Sequence, residues 1–398
     1  MTPSARVQAA IDILDLVIAS ARDNGPAADK IIADWFRTRR FAGSSDRRAV
    51  RELAYGAIRR CGEVPLNGRA AMLSLADDDV TLAALFDGSP HAPLPIGQSE
   101  PVATPGIAPA WLERSLRASG IDGEEAAALL GRAPLDIRVN TLKSERDVLE
   151  LPVAGEATLA RNGLRLPQGT QVEQWPAYRD GLVEVQDVGS QLACEAVAAQ
   201  PGETIIDLCA GAGGKTLALA SAMQNRGRLI ACDVDRSRLS RLAPRAARAG
   251  VTIAETLLLD PGREAAALSA WQGPNGTGAD CVLVDAPCSG TGTWRRNPES
   301  RWRLSQDQLS RNIALQARLI ELAATLVRPG GRLVYVVCSL IDLEGVDQAN
   351  GFLMFNGRTW QSDVLDLPGG RPRGSGIRLT PCHDGTDGFF VARLLRIC

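Results

Sequence analysis

The 398-residue sequence predicts an α/β protein built on a parallel sheet, with a separate helical region ahead of it. Five short apolar runs from about residue 181 onward alternate with amphipathic helical stretches: TIIDLCA (204–210), RLIACD (228–233), ETLLLD (255–260), CVLVDA (281–286) and RLVYVVC (332–338). Runs of that length between helices imply strands buried on both faces, hence a parallel sheet covered by helices. The composition, 45% hydrophobic, 23% charged and 4% aromatic, is that of an ordinary globular chain, and the length suffices for two or three domains.

In the first segment Val7, Ile11, Leu14 and Ile18 recur at helical spacing, so residues 1–85 are expected to form a helical domain. Residues 86–109 are rich in Pro, Gly and Ser, lack a period, and are expected to be a linker. Trp111 to Leu130 look helical, and DIRVNTLK (136–143) opens short strands, so 110–180 is expected to be a small α+β module. The sheet domain then occupies 181–398, and GFFVARLL (388–395) is expected to close its edge.

No run is long enough to span a membrane, and the start, MTPSARVQAA, has no apolar signal core, so a cytoplasmic protein is expected. Against 46 acidic residues stand 44 basic ones, for a net charge of -2, so a polyanionic partner would have to be met by local patches. Residues 37–60 supply one, with eight arginines against Asp46 and Glu52. A solvated helix face and an RNA-contacting surface explain it equally well. Only Lys30, Lys143 and Lys215 are lysines. With two histidines, His91 and His383, acid-base chemistry must fall to carboxylates, thiols or a lysine. The nine cysteines are expected to be reduced, and none shows zinc-site spacing, so no metal is expected.

DLCAGAGGKT (207–216) joins the first strand to a helix through Gly211, Gly213 and Gly214, a tight turn that lets a ligand approach the backbone. It matches neither the P-loop nor the dinucleotide fingerprint. Asp233 at the next strand end suits two ribose hydroxyls, and Asp260 at the third can reach an adenine amino group. Without a phosphate-binding signature, S-adenosyl-L-methionine fits better than NAD or ATP. Either acid alone could equally be a helix cap.

DAPCSGTG (285–292) places Asp285 and Cys288 on one loop, and Cys338 ends the fifth strand. A lone cysteine there would be an inert buried thiol. Two thiols and a carboxylate at neighbouring strand ends suit methylation at carbon 5 of a pyrimidine. A thiolate added to C6 makes C5 nucleophilic, a carboxyl group shares a proton at N3, and a second polar group helps the product leave. Lys215 can hold O2 of the base or favour the thiolate. WRRNPESRWR (294–303) interleaves Trp294 and Trp302 with Arg295, Arg296, Arg301 and Arg303, which suits phosphate contact and base stacking, or loop anchoring by the tryptophans.

These motifs, with VEVQDVGSQLA (183–193), VCS and DGTDGFFVARL (384–394), resemble the RNA (cytosine-C5)-methyltransferases of the Sun/RsmB and NOL/NOP group, most closely the bacterial 16S ribosomal RNA branch. The resemblance covers most of the chain. It implies a class I, Rossmann-like methyltransferase domain with a seven-stranded, mostly parallel sheet whose last strand is antiparallel. It also implies an RRM-like module around RVNTLK and a shortened NusB-like RNA-binding domain before it. By the same resemblance, Cys209, Ala210, Gly211, Ala212, Gly213, Gly214 and Lys215, with Asp233, Asp260 and Asp285, form the S-adenosyl-L-methionine site. Cys338 is then the nucleophile, Cys288 assists product release, and Asp285 and Lys215 complete the catalytic set. Four positions differ from the commoner pattern: Gly211-Ala212 for Ala-Pro, Val337 for Thr and Gly345 for Asn.

The expected partner is RNA, 16S rRNA or a small-subunit assembly intermediate, with no membrane or DNA partner and a monomeric state. The alternatives are the same chemistry on transfer RNA, a non-catalytic RNA-binding assembly factor, and a small-molecule methyltransferase.

Overall fold

The computed structural model describes residues 1–268 and 278–398, which form two compact units. Met1–Arg132 and Thr293–Gln306 make the first, and Ala133–Gly292 with Asp307–Cys398 the second.

The first unit is helical. Pro3–Arg22 starts under the Thr2 cap, Gly68–Ala76 under the Asn67 cap, and between them lie Ala28–Arg37 and Ser44–Arg60. Val7, Ile11, Leu14 and Ile18 are all buried, as their spacing predicts. Gly68 lets two helices touch, since a Cβ there would meet the Ile11 carbonyl at 2.2 Å. The expected linker is fixed on this unit: Ala103 N–H donates to Ala70 O, Gly106 N–H to Arg60 O, and Arg69 pairs with Glu100 at 2.5 Å. Ala110–Ala118 and Gly123–Ala128 also belong to it, so the chain divides after Arg132 rather than within 86–109.

The second unit holds two sheets. Glu156–Ala157, Gly163–Leu166, Leu135–Val139 and Val183–Val185 form a four-stranded antiparallel sheet in that order. The larger sheet runs Ala254–Leu258, Arg228–Asp233, Thr204–Asp207, Ala279–Asp285 and Val327–Val337, all parallel. Phe389–Arg396 follows antiparallel, pairing Phe390 with Val337. Gly376–Leu379 pairs with the first half of its free edge and Trp360–Asp363 with the second, while Arg371–Arg373 extends the hairpin. Among the described residues the sheet thus has nine strands, against the seven implied by the resemblance: beside the five parallel strands and Phe389–Arg396 stand three short antiparallel ones, whose largely polar composition hid them. The order reverses at Thr204–Asp207, which pairs with Arg228–Asp233 on one side and Ala279–Asp285 on the other. That reversal opens a crevice at the carboxyl ends of those strands.

Among the described residues no helix is long and apolar enough to cross a membrane, and no cluster of His, Cys, Asp or Glu could hold a metal ion.

Candidate active site

A cavity of about 530 Å³ opens at this crevice. Cys209, Asp233, Asp285, Cys288 and Cys338 line it, so strand ends far apart in sequence converge as expected. Ala210, Gly211, Ala212, Gly213, Gly214 and Lys215 are not among its lining residues. Asp260 is exposed and lies outside it: the third strand ends at Leu258, and Leu259 and Pro261 face the cavity instead.

The glycine turn is sterically required. Gly213 has φ +82°, and a Cβ there would meet Leu242 at 2.2 Å. The turn ends in the helix Gly214–Ala222. Asp233 ties it to the second strand, accepting from Gly211 N–H at 2.7 Å through one oxygen and from Asp235 N–H at 2.8 Å through the other. Both bonds fix the carboxylate and leave further lone pairs for a ligand.

Lys215 is buried and donates to Asp285 at 2.7 Å, with its ammonium 5.6 Å from the Phe389 ring centre. Burial alone would lower its pKa, but the negative charge of Asp285, with Cys194 and Cys338, holds it above the ordinary lysine range. Asp207 is fully buried; Oδ2 accepts from Thr216 Oγ1 at 2.7 Å, and among the described residues Oδ1 has no partner. Burial pushes its pKa up to about 7, with Thr216 opposing and Asp285 adding. Cys209 is likewise pushed well up, by burial and then by Asp285, Asp207 and Asp233.

The sulfurs of Cys288 and Cys338 are 3.5 Å apart. Their loops are stitched at the following residues: Ser289 Oγ lies 3.1 Å from Ser339 Oγ, and Gly292 N–H donates to Cys338 O at 3.0 Å. Hydrogen bonding to Cys338, then burial, then the charges of Cys338 and Glu344 push the Cys288 thiol well above its usual range. Gly292 and Gly388 pass in contact, since a Cβ on Gly292 would sit 2.1 Å from Gly388 O, so the GTG and TDGFF stretches meet behind the thiols.

Three groups escaped the sequence reading. Glu264 lines the cavity in a two-pronged pair with Arg318, at 2.8 and 2.9 Å; these bonds, against burial, hold its carboxyl down at about 2. Asp207 was legible only as part of a turn. Glu344 lies buried against the Cys288 loop, accepting from Ser289 N–H, and the sequence reading touched it only through its neighbour Gly345.

In WRRNPESRWR the anchoring alternative describes Trp294, Trp302, Arg301 and Arg303. Trp294 and Arg301 are fully buried and Trp302 nearly so, within the segment that belongs to the helical unit. Arg301 donates to Ile58 O at 2.6 Å and Cys61 O at 2.8 Å, and Arg303 to Gly25 O at 2.8 Å. These guanidiniums serve folding because they meet backbone carbonyls left open at helix ends.

A family model described as 16S rRNA methyltransferase RsmB/F matches residues 194–395. A ribosomal RNA small subunit methyltransferase B of Xylella fastidiosa (strain Temecula1) is 36% identical over 298 residues, 72% of this chain and 67% of that protein. Its counterpart in Pseudomonas syringae pv. tomato is 31% identical over 301 residues, 73% of this chain and 66% of that protein. The chain thus spans about two thirds of the length of these relatives, or slightly less. Among solved structures, PH0851 superimposes with a TM-score of 0.74 at 26% identity, covering 99% of both chains. A methyltransferase homolog protein from Pyrococcus horikoshii gives a TM-score of 0.59 at 27% identity, over 69% of this chain and 90% of that one.

Proposed function

Since the chain belongs to the 16S rRNA methyltransferase RsmB/F family, we propose that it methylates carbon 5 of a cytosine in small-subunit ribosomal RNA, with S-adenosyl-L-methionine as methyl donor. The observation that carries this reading is the pair of thiols 3.5 Å apart, in one cavity with a lysine-held carboxylate.

The cavity fits the cofactor. Its volume suits a nucleoside-sized ligand, and Asp233 keeps free lone pairs for ribose hydroxyls. Leu259 and Pro261 offer an apolar wall for adenine, whose amino group we leave to the exposed Asp260. Asp207 Oδ1, buried without a partner, awaits a donor. When bound, the cofactor supplies an electrophilic methyl group.

This chain's residues do the rest. Cys338 Sγ adds to C6 of the base, forming an S–C bond as the ring double bond shifts its electrons toward C5 and N3. Asp285, oriented by Lys215, shares a proton at N3. After transfer, the C5 proton passes to a solvent base, its bonding pair re-forms the C5–C6 double bond, and the electron pair of the breaking S–C bond returns to Cys338 Sγ as thiolate. Cys288 assists that release from 3.5 Å away.

Cys338→Ala is expected to abolish methyl transfer, and Cys288→Ala to accumulate a covalent protein–RNA adduct on denaturing gels. Full activity in Cys338→Ala would remove the assigned nucleophile. Bisulfite sequencing of ribosomal and transfer RNA from a deletion strain tests the substrate, and an unchanged ribosomal pattern would transfer the reading to transfer RNA. RNA binding without any methyl transfer would leave an assembly factor.

A further inference from the structure

Glu344 is fully buried, and among the described residues its hydrogen-bond donors are all neutral. Oε1 accepts from Ser289 N–H at 2.8 Å, Gln316 Nε2 at 3.2 Å and Asn312 Nδ2 at 3.4 Å, while Oε2 accepts from Ser289 Oγ. A buried acid without a cation is costly, so its place needs a reason. The reason lies in what hangs from it. Gln316 also holds Pro287 O at 2.8 Å, so the residues on both sides of Cys288 are bound to the same knot. Ser289 then reaches Ser339, the residue after Cys338. The Glu344 carbonyl accepts from Tyr335 OH at 2.5 Å, which anchors the knot to the fifth strand.

The charge around the two thiols is asymmetric. The groups that act most strongly on Cys288 are Cys338 and Glu344, both of which favour its protonated form, while Gly290 N–H opposes them; Cys288 in turn acts on Tyr335. Lys215 interacts electrostatically with Cys338. Asp285 and the Arg318–Glu264 pair line the same cavity. Both cysteines precede a serine, so sequence alone gives them equal standing.

We propose that Glu344 is a positioning residue that sets Cys288 against Cys338 through Ser289 and, as an anion on Cys288's side, keeps the proton on Cys288 so that attack falls to Cys338. This rests on the methylation reading for the word attack, but not for the placement of the proton.

The test follows alkylation by iodoacetamide, peptide by peptide, in the full-length protein without RNA. The isosteric Glu344→Gln is expected to lower the pH midpoint of Cys288 labelling by about one unit, roughly a tenfold faster reaction near neutrality. Glu344→Asp keeps the charge but not the reach, and is expected to hold that midpoint high while lowering kcat at unchanged KM. An unchanged Cys288 profile in Glu344→Gln overturns the proposal, as does an equal fall in both variants, which a purely structural role would produce. Should Glu344→Gln fail to fold, Ser289→Ala keeps the anion and is expected to leave Cys288 slow to label while kcat falls; fast labelling overturns the proposal. The expected labelling with no methyl transfer by the parent protein would overturn the proposed function and leave the proton's placement standing.

Discussion

In residues 37–60, Arg40, Arg48 and Arg51 remain exposed, and Arg37 keeps 76% of its side chain in solvent beside Asp34. In residues 294–303, Arg301 is fully buried and Arg303 is spent on the carbonyls of Gly25 and Pro26. Both stretches mix arginine with aromatic residues, and the sequence left both open to RNA contact or to a purely structural role. The difference is what each guanidinium meets. Arg301 faces the open carbonyls of Ile58, Arg59 and Cys61 at the end of Ser44–Arg60, where its fork and its charge both complement the helix terminus. The first stretch is itself divided: Arg39 lies 4.0 Å over the Trp35 ring, Arg47 donates to Ala42 O, and Arg60 pairs with Asp78. An arginine count therefore measures binding potential only after the carbonyls and rings have taken their share.

Breaking the buried segment should have the largest effect. Trp294→Ala is expected to cost about 4 kcal/mol, read from denaturant unfolding, because a fully buried indole leaves a large cavity. Arg301→Ala follows at about 3 kcal/mol, since it strands several carbonyls bonded to a charged donor. If either variant unfolds like the parent and instead loses RNA affinity, the contrast between the two stretches is wrong. Arg40→Ala, Arg48→Ala and Arg51→Ala should leave unfolding unchanged. Each should reduce the salt dependence of RNA binding by about one unit of slope for a phosphate contact removed; an unaltered slope would leave the exposed face as solvated surface. The smallest effect concerns the half-exposed Arg69–Glu100 pair. Bonding to Arg69 and to Gly97 N–H holds the Glu100 carboxyl down at about 2 from its ordinary 4.5. Its contribution is present above the ordinary value and lost as pH falls through about 2. Hydrogen exchange around residues 97–103 should therefore rise across that acidic window, and a flat profile would mean the pair does not hold the segment.

Within the second unit, the sequence made legible what depends on near neighbours. Apolar runs marked the five parallel strands, because strands buried on both faces need unbroken hydrophobic sequence. Glycines marked the turn at 211–214, and the cysteines stood visibly at strand ends. The edge strand Ala254–Leu258 is half exposed and ends two residues before Asp260, so the continuous apolar run overstated its length, and Asp260 is exposed. Glu264 and Arg318 sit on separate elements with unremarkable surroundings, and only packing joins them.

By itself, then, the sequence determined the parallel sheet, the tight glycine turn, and the presence of two thiols and a carboxylate at its carboxyl ends. Those follow from steric and hydrophobic rules acting over a few residues. Only the tertiary structure decided that Lys215 holds Asp285 across 70 positions, that Glu344 supports Ser289 across 55, and that Arg301 reaches Ile58 across 243. The physical reason is that a charged side chain takes its role from the donors and acceptors that folding brings to it, which no local pattern encodes.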